Sequence, residues 1–309
     1  QVQFQLEGEA ACGSRVAVDF LGAVDANAYS RVPRRLYEGT VAASCQVQRQ
    51  CLDVAFSPPL TLPAEDGLYA NPRRFGNGIG SFIIPGSGDS TYFGAWFTGE
   101  ADRDPTWLIL QGRYVASPFG EQGNATIYRF RQTGASPFTV SSEVVGSATI
   151  APASRQRIVL SWTVDGQSGA EILDKLYPQR GPAPDRTGAW YNPGESGWGP
   201  IVDDHVLNGA NESVIINYNY GTDGTARWTL GASPDLNQGA MSLSTFRVHC
   251  PTCPSFPDFF DLPLPAGNLN RSFSSQTRGT YSSNSAVANP PLSWIRNNLP
   301  IEMISRPSQ

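Results

Sequence analysis

The sequence has few of the residues on which nucleic-acid-binding proteins rely. Its 309 residues contain a single lysine, Lys175, and only 16% of them are charged. The formal net charge is −5 and the arginines are scattered, whereas binding to nucleic acid needs clustered cationic side chains. No apolar run approaches the roughly 18–20 residues of a membrane-spanning helix. The composition therefore argues against a nucleic-acid partner and against a transmembrane segment.

Sequence motifs of catalysis are also missing. The chain has no Gly-x-Ser-x-Gly elbow, no phosphate-binding loop and no His-Glu-x-x-His pattern. It has two histidines, one of them in the acidic–imidazole cluster Asp203-Asp204-His205. Adjacent strand residues point to opposite faces, so at most Asp203 and His205 share one. We therefore expect a protein that is not an enzyme and needs neither metal nor cofactor, with a catalytic or metal role of Asp203 and His205 as an alternative.

Glycine and proline, in contrast, are plentiful, with 31 and 25 copies. Both residues punctuate a chain with turns, and no stretch keeps the 3.6-residue apolar period of an amphipathic helix. The apolar and aromatic run 214–220 is followed instead by Asp223-Gly224, a favoured pair for a two-residue hairpin. The pattern predicts an all-β protein of short antiparallel strands.

An internal repeat with an offset of 121 residues organises most of the chain. The first copy begins Gly-Leu-Tyr-Ala-Asn-Pro at Gly67, and the second begins Gly-Ala-Trp-Tyr-Asn-Pro at Gly188. The same offset pairs further glycines, aspartates and aromatic residues: Gly76 with Gly197, Phe97 with Tyr218, Asp102 with Asp223, Trp107 with Trp228, and Gly146 with Gly267. Self-similarity at a fixed period is typical of two copies of one structural unit.

We therefore predict two tandem antiparallel β-barrel or β-sandwich domains, over 67–178 and 187–306. Residues 1–60 lie outside the repeat and form an N-terminal strand-rich segment that contains three of the five cysteines. A tryptophan repeated in a small β-domain is normally a core residue. We expect Trp107 and Trp228 to be buried at inward-facing positions of equivalent strands.

Residues 188–199 resemble a motif of exported proteobacterial proteins. They read Gly-Ala-Trp-Tyr-Asn-Pro-Gly-Glu-Ser-Gly-Trp-Gly, and the motif of that repeat family is Gly-x-Trp-x-Asn-Pro-x-x-Ser-Gly-x-Gly, followed by Trp-x-Thr-Tyr, a turn and another Trp. The first copy supplies Trp96-Phe97-Thr98 for the second element but departs from the first element at Tyr69 and Phe75. The resemblance implies an exported repeat protein and brings no activity with it. Five residues, Gly-x-Trp-Tyr-Asn, are also similar to the first strand of streptavidin-like barrels.

The cysteines and the first residue bear on the compartment. The chain does not begin with Met, as expected of a mature protein whose signal peptide has been removed, and export would favour disulfides. The spacings favour Cys45–Cys51 and Cys250–Cys253, with Cys12 left over or bonded to Cys45, to Cys51 or to another subunit. A redox role of the Cys250/Cys253 pair is an alternative. We expect an extracellular or cell-surface protein.

Three hypotheses for function follow. The first is a non-enzymatic secreted structural protein that self-associates into a surface layer or filament through sheet edges or through its N-terminal segment, since an unpaired strand edge is a template for another chain. The second is an extracellular module that binds carbohydrate or a surface through Trp190, Trp198 and Asn192, with Trp198 as an exposed stacking residue. The third is a secreted enzyme or redox protein that uses the acidic–imidazole cluster or a cysteine pair.

Overall fold

A computed structural model describes residues 64–304 apart from 72, 73, 75, 87–89, 118, 119, 135–138, 249 and 252–261, together with the backbone of four short strands before residue 55. Regular structure in this part of the chain is entirely β, which confirms the predicted fold class. The strands are β1 (Val2–Phe4), β2 (Arg15–Phe20), β3 (Arg34–Thr40), β4 (Leu52–Val54), β5 (Gly67–Ala70), β6 (Gly78–Ile84), β7 (Ser90–Gly99), β8 (Pro105–Ser117), β9 (Gly120–Thr133), β10 (Thr139–Ser154), β11 (Arg157–Val164), β12 (Gln167–Lys175), β13 (Gly188–Tyr191), β14 (Gly199–Leu207), β15 (Ala210–Tyr220), β16 (Ala226–Ser233), β17 (Gln238–Thr245), β18 (Leu264–Phe273), β19 (Arg278–Val287) and β20 (Leu292–Met303).

Two eight-stranded antiparallel sheets follow each other along the chain, and each closes on itself. In the first barrel, β5 to β12, the last strand returns to the first and pairs Lys175 with Tyr69. In the second barrel, β13 to β20, the last strand pairs Met303 with Trp190. Because each sheet closes, the two domains are β-barrels rather than the alternative β-sandwiches. A closed barrel has no free sheet edge.

The tight turns of the two barrels are built alike. In the hairpin between β7 and β8, Glu100 donates its backbone N–H to Asp104 O at 2.8 Å, and in the hairpin between β15 and β16 Gly221 donates to Thr225 O at 2.8 Å. Gly224 has a φ of +77°, and Arg103, which lies 121 positions earlier, has a φ of +72°. A left-handed residue at the same point of both hairpins shows that the repeat extends to backbone geometry.

The barrels pack against each other through equivalent residues. Trp107 in β8 donates its indole N–H to Asn219 O of the second barrel at 3.1 Å. Trp228 in β16 donates to Thr98 O of the first barrel at 3.0 Å. Thr98 and Asn219 are themselves 121 positions apart. The two hydrogen bonds therefore exchange under an approximate two-fold rotation, as the contacts of a symmetric dimer do.

The aromatic contacts of this interface are related by the same approximate two-fold rotation. Trp107 meets Tyr218 edge to face with ring centroids 5.6 Å apart, and Trp228 meets Phe97 in the same way at 5.6 Å. Both tryptophans are buried, but they point away from their own barrel. The expectation of inward-facing positions was wrong because the outer face of these strands is covered by the other barrel.

Gly80 lies where the approximate two-fold axis passes. A Cβ at this position would come within 2.2 Å of Ile201 Cδ1, and Ile201 is the residue 121 positions later. A residue that contacts its own counterpart is the signature of a position on a two-fold axis. The glycine allows β6 of the first barrel to approach β14 of the second.

The four strands before residue 55 form two separate antiparallel pairs, β1 with β4 and β2 with β3. Cys12, Cys45, Cys51 and Cys253 lie outside the described residues, so the disulfide pairings stay predictions. Cys250 is buried. Among the described residues, no helix has the length and apolar character required to cross a membrane.

Candidate ligand-binding lumen of the second barrel

The inside of the first barrel is filled with large apolar side chains. Trp96 and Trp162 lie against each other with centroids 5.7 Å apart, and Leu108, Leu110 and Ile127 pack into the same cluster. The Trp96 indole N–H is satisfied by Asn77 Oδ1 at 2.8 Å. This interior is an ordinary close-packed core.

The inside of the second barrel has a different chemistry. Tyr218 and Trp228 face the first barrel, and side chains alternate along a strand, so their odd-numbered neighbours face inward. Cross-strand pairing with β19 identifies further inward positions. At one end of this barrel the inward side chains form a group that we call the lumen cluster, which consists of buried uncharged polar residues: Asn217, Asn219, Thr229, Tyr281, Ser283 and Ser285.

The repeat shows that the fold does not require these polar groups. The residue of the first barrel equivalent to Asn217 is Trp96, and the one equivalent to Thr229 is Leu108. Both are buried in the first barrel's core. The same strand positions thus carry a packed apolar core in one barrel and hydrogen-bonding groups in the other.

The lumen cluster is only loosely bonded internally. Tyr281 donates its hydroxyl to Asn217 Oδ1 at 2.6 Å, but Asn217 Nδ2 reaches Thr229 Oγ1 and Ser283 Oγ only at 3.5 Å each. Contacts of that length are weak hydrogen bonds. Burial is the main cause that raises the pKa of Tyr281, so the phenol keeps its proton and acts as a donor.

Asn219 is the least satisfied member of the cluster. Its side chain is fully buried, and neither Oδ1 nor Nδ2 has a hydrogen-bond partner among the described residues. Its backbone carbonyl is held by Trp107, so the inter-barrel contact fixes the strand at this point. A buried amide that lacks both partners is destabilising by about 1–3 kcal/mol per group, and a native protein keeps such a group for a reason.

Aromatic rings form the wall beside the lumen cluster. Trp198 lies 5.3 Å from Tyr281 and 5.6 Å from Trp294 between ring centroids. The guanidinium of Arg296 stacks 3.8 Å above the Trp294 ring and donates to Glu195 at 2.8 Å. Trp198 is only 4% exposed, so the expectation of an exposed stacking platform was wrong. Its indole N–H is donated to Glu195 Oε2 at 3.1 Å.

The other two predicted ligand-binding residues lie elsewhere. Trp190 is buried with its indole N–H on Arg186 O at 3.1 Å and its ring 4.8 Å from Phe273, towards the opposite end of the barrel. Asn192 donates to Pro300 O at 2.7 Å and accepts from Gly194 N–H at 2.7 Å. Asn192 therefore closes the turn after β13 with both ends of its amide in use.

Asp203 and His205 of the acidic–imidazole cluster join segments of the chain on the outside of β14, whereas Asp204 points to the opposite face. Asp203 Oδ2 accepts the Leu68 N–H of the first barrel at 2.9 Å, and His205 Nε2 lies 3.1 Å from Glu212 Oε2. Tyr177, from the connection between the barrels, stacks on the His205 ring at 3.5 Å. In the described part of the chain no group of three His, Cys, Asp or Glu residues is arranged to hold a metal ion.

Charge interactions set the protonation of His205. Burial by itself would lower the pKa of His205, but hydrogen bonds to Asp203 and Glu212 and the negative charge of Asp203 outweigh burial and raise the pKa. His205 thus links β14, β15 and the connection between the barrels through its contact with Glu212 and its stacking on Tyr177. This arrangement gives Asp203 and His205 a structural role at the junction of the two barrels.

Comparison of the chain with protein-family models, with curated proteins and with solved structures finds no match. The resemblance of residues 188–199 to an exported repeat family stays a prediction.

Proposed function

We propose that the chain is a non-enzymatic binding protein that takes a small, uncharged, polar ligand, such as a sugar ring, into the second barrel at the lumen cluster. The observation that carries this proposal is the buried side-chain amide of Asn219, whose donor and acceptor are both without a partner among the described residues. A ligand with neighbouring donor and acceptor groups would satisfy both.

The uncharged nature of the ligand follows from its surroundings. Hydroxyl and amide groups both donate and accept, which suits a sugar or another neutral polyol. The two arginines at this end are paired with carboxylates, since Arg227 lies 3.5 Å from Asp104 and Asp223 and Arg296 is bonded to Glu195. Only Nε of Arg227, the cross-strand neighbour of Asn219, lacks an acceptor among the described residues. Trp198 and Trp294 supply aromatic faces of the kind that stack on apolar faces of sugar rings.

Titration calorimetry with a panel of neutral mono- and disaccharides tests the proposal. The wild-type protein should bind at least one of them saturably, and Asn219→Ala should weaken that binding at least tenfold. Asn270→Ala is the matched control because Asn270 is an exposed asparagine of the same barrel. Absence of binding by the whole panel, or equal affinity in Asn219→Ala, would contradict the proposal.

A second candidate is the structural role, in which the protein associates with copies of itself. The barrels β5–β12 and β13–β20 are both closed, so neither offers a free strand edge to another chain. The pairs β1–β4 and β2–β3 are two-stranded, and two-stranded sheets have outer edges that can accept a further strand. We propose that any self-association uses residues 1–60 and takes place outside the cell or on its surface.

Removal of residues 1–60 tests this second candidate. Full-length protein should form assemblies, and the truncated protein should elute as a monomer when its mass is measured by light scattering. The far-UV circular dichroism of the truncated protein serves as the control for folding. Assembly that persists without the segment would contradict its proposed part in association.

A further inference from the structure

Two arginines come together inside the second barrel, towards the end that lies opposite Asn219. Arg271 faces inward from β18 and is 2% exposed, and Arg186, in the segment before β13, is 7% exposed. Their guanidinium carbons lie 5.8 Å and 5.2 Å from the centroid of the same ring, Phe273. Burial lowers the pKa of Arg271 and outweighs the attraction of Asp204 and Asp235, and repulsion by Arg186 acts in the same direction as burial.

The donors of these arginines are only partly used. Arg271 donates from Nη2 to Asp235 O at 2.7 Å, but its Nε and Nη1 have no acceptor among the described residues. Arg186 donates to Pro184 O at 3.3 Å and to Asn237 Oδ1 at 2.9 Å, and its Nε has no acceptor in the same part of the chain. Three buried donor nitrogens of two cations thus have no acceptor among the described residues.

The charges around this pair are unequal. Asp204 is the buried carboxylate beside it, with Oδ2 accepting the Arg186 backbone N–H at 3.3 Å and Oδ1 without a donor among the described residues. Asp235 also attracts Arg271, but Asp235 is exposed, where solvent screens its charge. Two buried cations face one buried carboxylate, which leaves an excess of one positive charge in a place where unpaired charge is strongly unfavourable.

The first barrel again shows that the fold does not need this charge. The offset of 121 residues aligns Arg271 with Ile150, Asp204 with Ile83, and Arg186 with Glu65. Ile150 is a buried apolar residue of the first barrel, and Glu65 pairs with the sole lysine, Lys175, at 2.7 Å. Glu65 is thus paired with cations of its own barrel, Lys175 and Arg155.

We propose that Arg186 and Arg271 form a binding site for a carboxylate group at this end of the second barrel. One carboxylate carries the single negative charge that the excess requires, and it accepts hydrogen bonds from guanidinium groups in a favourable geometry. Trp190 and Phe273 border the site with apolar surface, which disfavours a multiply charged and strongly hydrated anion. Arg271 is the cross-strand partner of Tyr281, so the site adjoins the lumen cluster at that residue. Asn219 lies farther away, since it is six residues along β15 from Ser213, the partner of Asp204, or roughly 20 Å.

Thermal unfolding in sodium acetate tests the site, with sodium chloride replaced stepwise at constant ionic strength and pH 7.5. The Tm of the wild-type protein should rise saturably with acetate, and in Arg271→Met the rise should vanish. Arg278→Met is the matched control, since the Arg278 side chain is 73% exposed on the same barrel, and it should keep the rise. Saccharide binding at the lumen cluster should persist in Arg271→Met, which separates this site from the proposed function.

Other outcomes decide against the proposal. A rise in Tm that also occurs in Arg271→Met would show that acetate acts elsewhere. A saturable rise with phosphate in place of acetate would show an anion site of different selectivity and contradict the carboxylate. If Arg271→Met does not fold, two other measurements replace it. Arg186→Met should lose the acetate-dependent rise in Tm, and the wild-type protein should broaden the line of ¹³C-labelled acetate saturably. Absence of saturable broadening would contradict the proposed carboxylate site.

Discussion

Replacing Trp228 by alanine tests how the two barrels hold each other. Trp228 is buried and would bury roughly 200 Å², which at about 25 cal/mol per Å² corresponds to about 5 kcal/mol. Tryptophan-to-alanine changes in cores cost about 3–5 kcal/mol. The variant also leaves the buried Thr98 carbonyl without its indole donor. We therefore expect a loss of about 4–5 kcal/mol in the free energy of unfolding.

The approximate two-fold symmetry gives this experiment an internal comparison. Trp107 has the same donor role and the same edge-to-face partner in the other barrel. Trp107→Ala should therefore lower the free energy of unfolding by the same amount as Trp228→Ala, to within about 1 kcal/mol. Ile295→Ala is the control for a large apolar side chain outside the interface, since Ile295 is 54% exposed, and it should change stability by less than about 0.5 kcal/mol.

Guanidinium chloride unfolding followed by far-UV circular dichroism is the assay, because tryptophan fluorescence changes with the substitutions themselves. A loss of less than about 1 kcal/mol in either tryptophan variant would refute the burial argument. A difference between the two variants of more than about 2 kcal/mol would refute the equivalence of the two sides. A change in the m-value would indicate that the barrels unfold separately rather than together.

Three further predictions concern single positions. Burial raises the pKa of Asp204 from 3.8 to about 6, so the folded protein binds the Asp204 proton more tightly than the unfolded chain. Stability relative to Asp204→Asn should therefore fall by about 2 kcal/mol as pH rises from 4 to 6, and a pH-independent difference in chemical unfolding would contradict this. The pKa of His205 is raised, so the stability that its protonated form contributes is fully present below about pH 6.5 and is lost as pH rises through the folded-state pKa. The difference in Tm between the wild-type protein and His205→Gln should therefore shrink between pH 6 and pH 9. A difference that grows over this range would contradict the proposed interactions of His205. Gly146 and Gly267 are equivalent positions at which a Cβ would come within 1.8 Å and 2.0 Å of a neighbouring backbone carbonyl; alanine at either should cost more than about 2 kcal/mol, and a neutral result in thermal unfolding would show that the strands can separate.

The sequence predicted the fold class because its signals were local. Glycine and proline mark the turns, Asp223-Gly224 marks a hairpin, and the offset of 121 residues marks the duplication. Closure into barrels is a long-range property, since it depends on pairing of the last strand with the first across about a hundred residues. No short pattern carries that information, so barrel and sandwich were not distinguished.

The direction of Trp107 and Trp228 could not be predicted from alternation. The second half of β7 and most of β15 are buried on both faces, because one face lines a barrel and the other meets the neighbouring barrel. Alternation identifies an inner face only where the other face is solvated. Trp198 was misjudged for a related reason, since the rings and the carboxylate that bury it come from β19, β20 and the turn beside it.

The lumen cluster had a signal that sequence reasoning left unused. Comparison of the two copies aligns Asn217 with Trp96 and Thr229 with Leu108, so the sequence already shows that polar residues replace core residues in the second copy. The contribution of Tyr281, Ser283 and Ser285 could not be found this way. These three residues join the cluster only through the pairing of β19 with its neighbours.

The exchange of Trp107 and Trp228 contacts means that the chain carries both halves of a dimer interface on one polypeptide. Two free subunits with such an interface would associate only above a threshold concentration, whereas the short connection over 176–187 fixes a high local concentration at any dilution. Because both barrels belong to one chain, their sequences do not have to be identical. One barrel can keep a filled interior and serve as the scaffold, while the interior of the other is free to accumulate asparagines, serines and arginines that a symmetric dimer would have to carry twice.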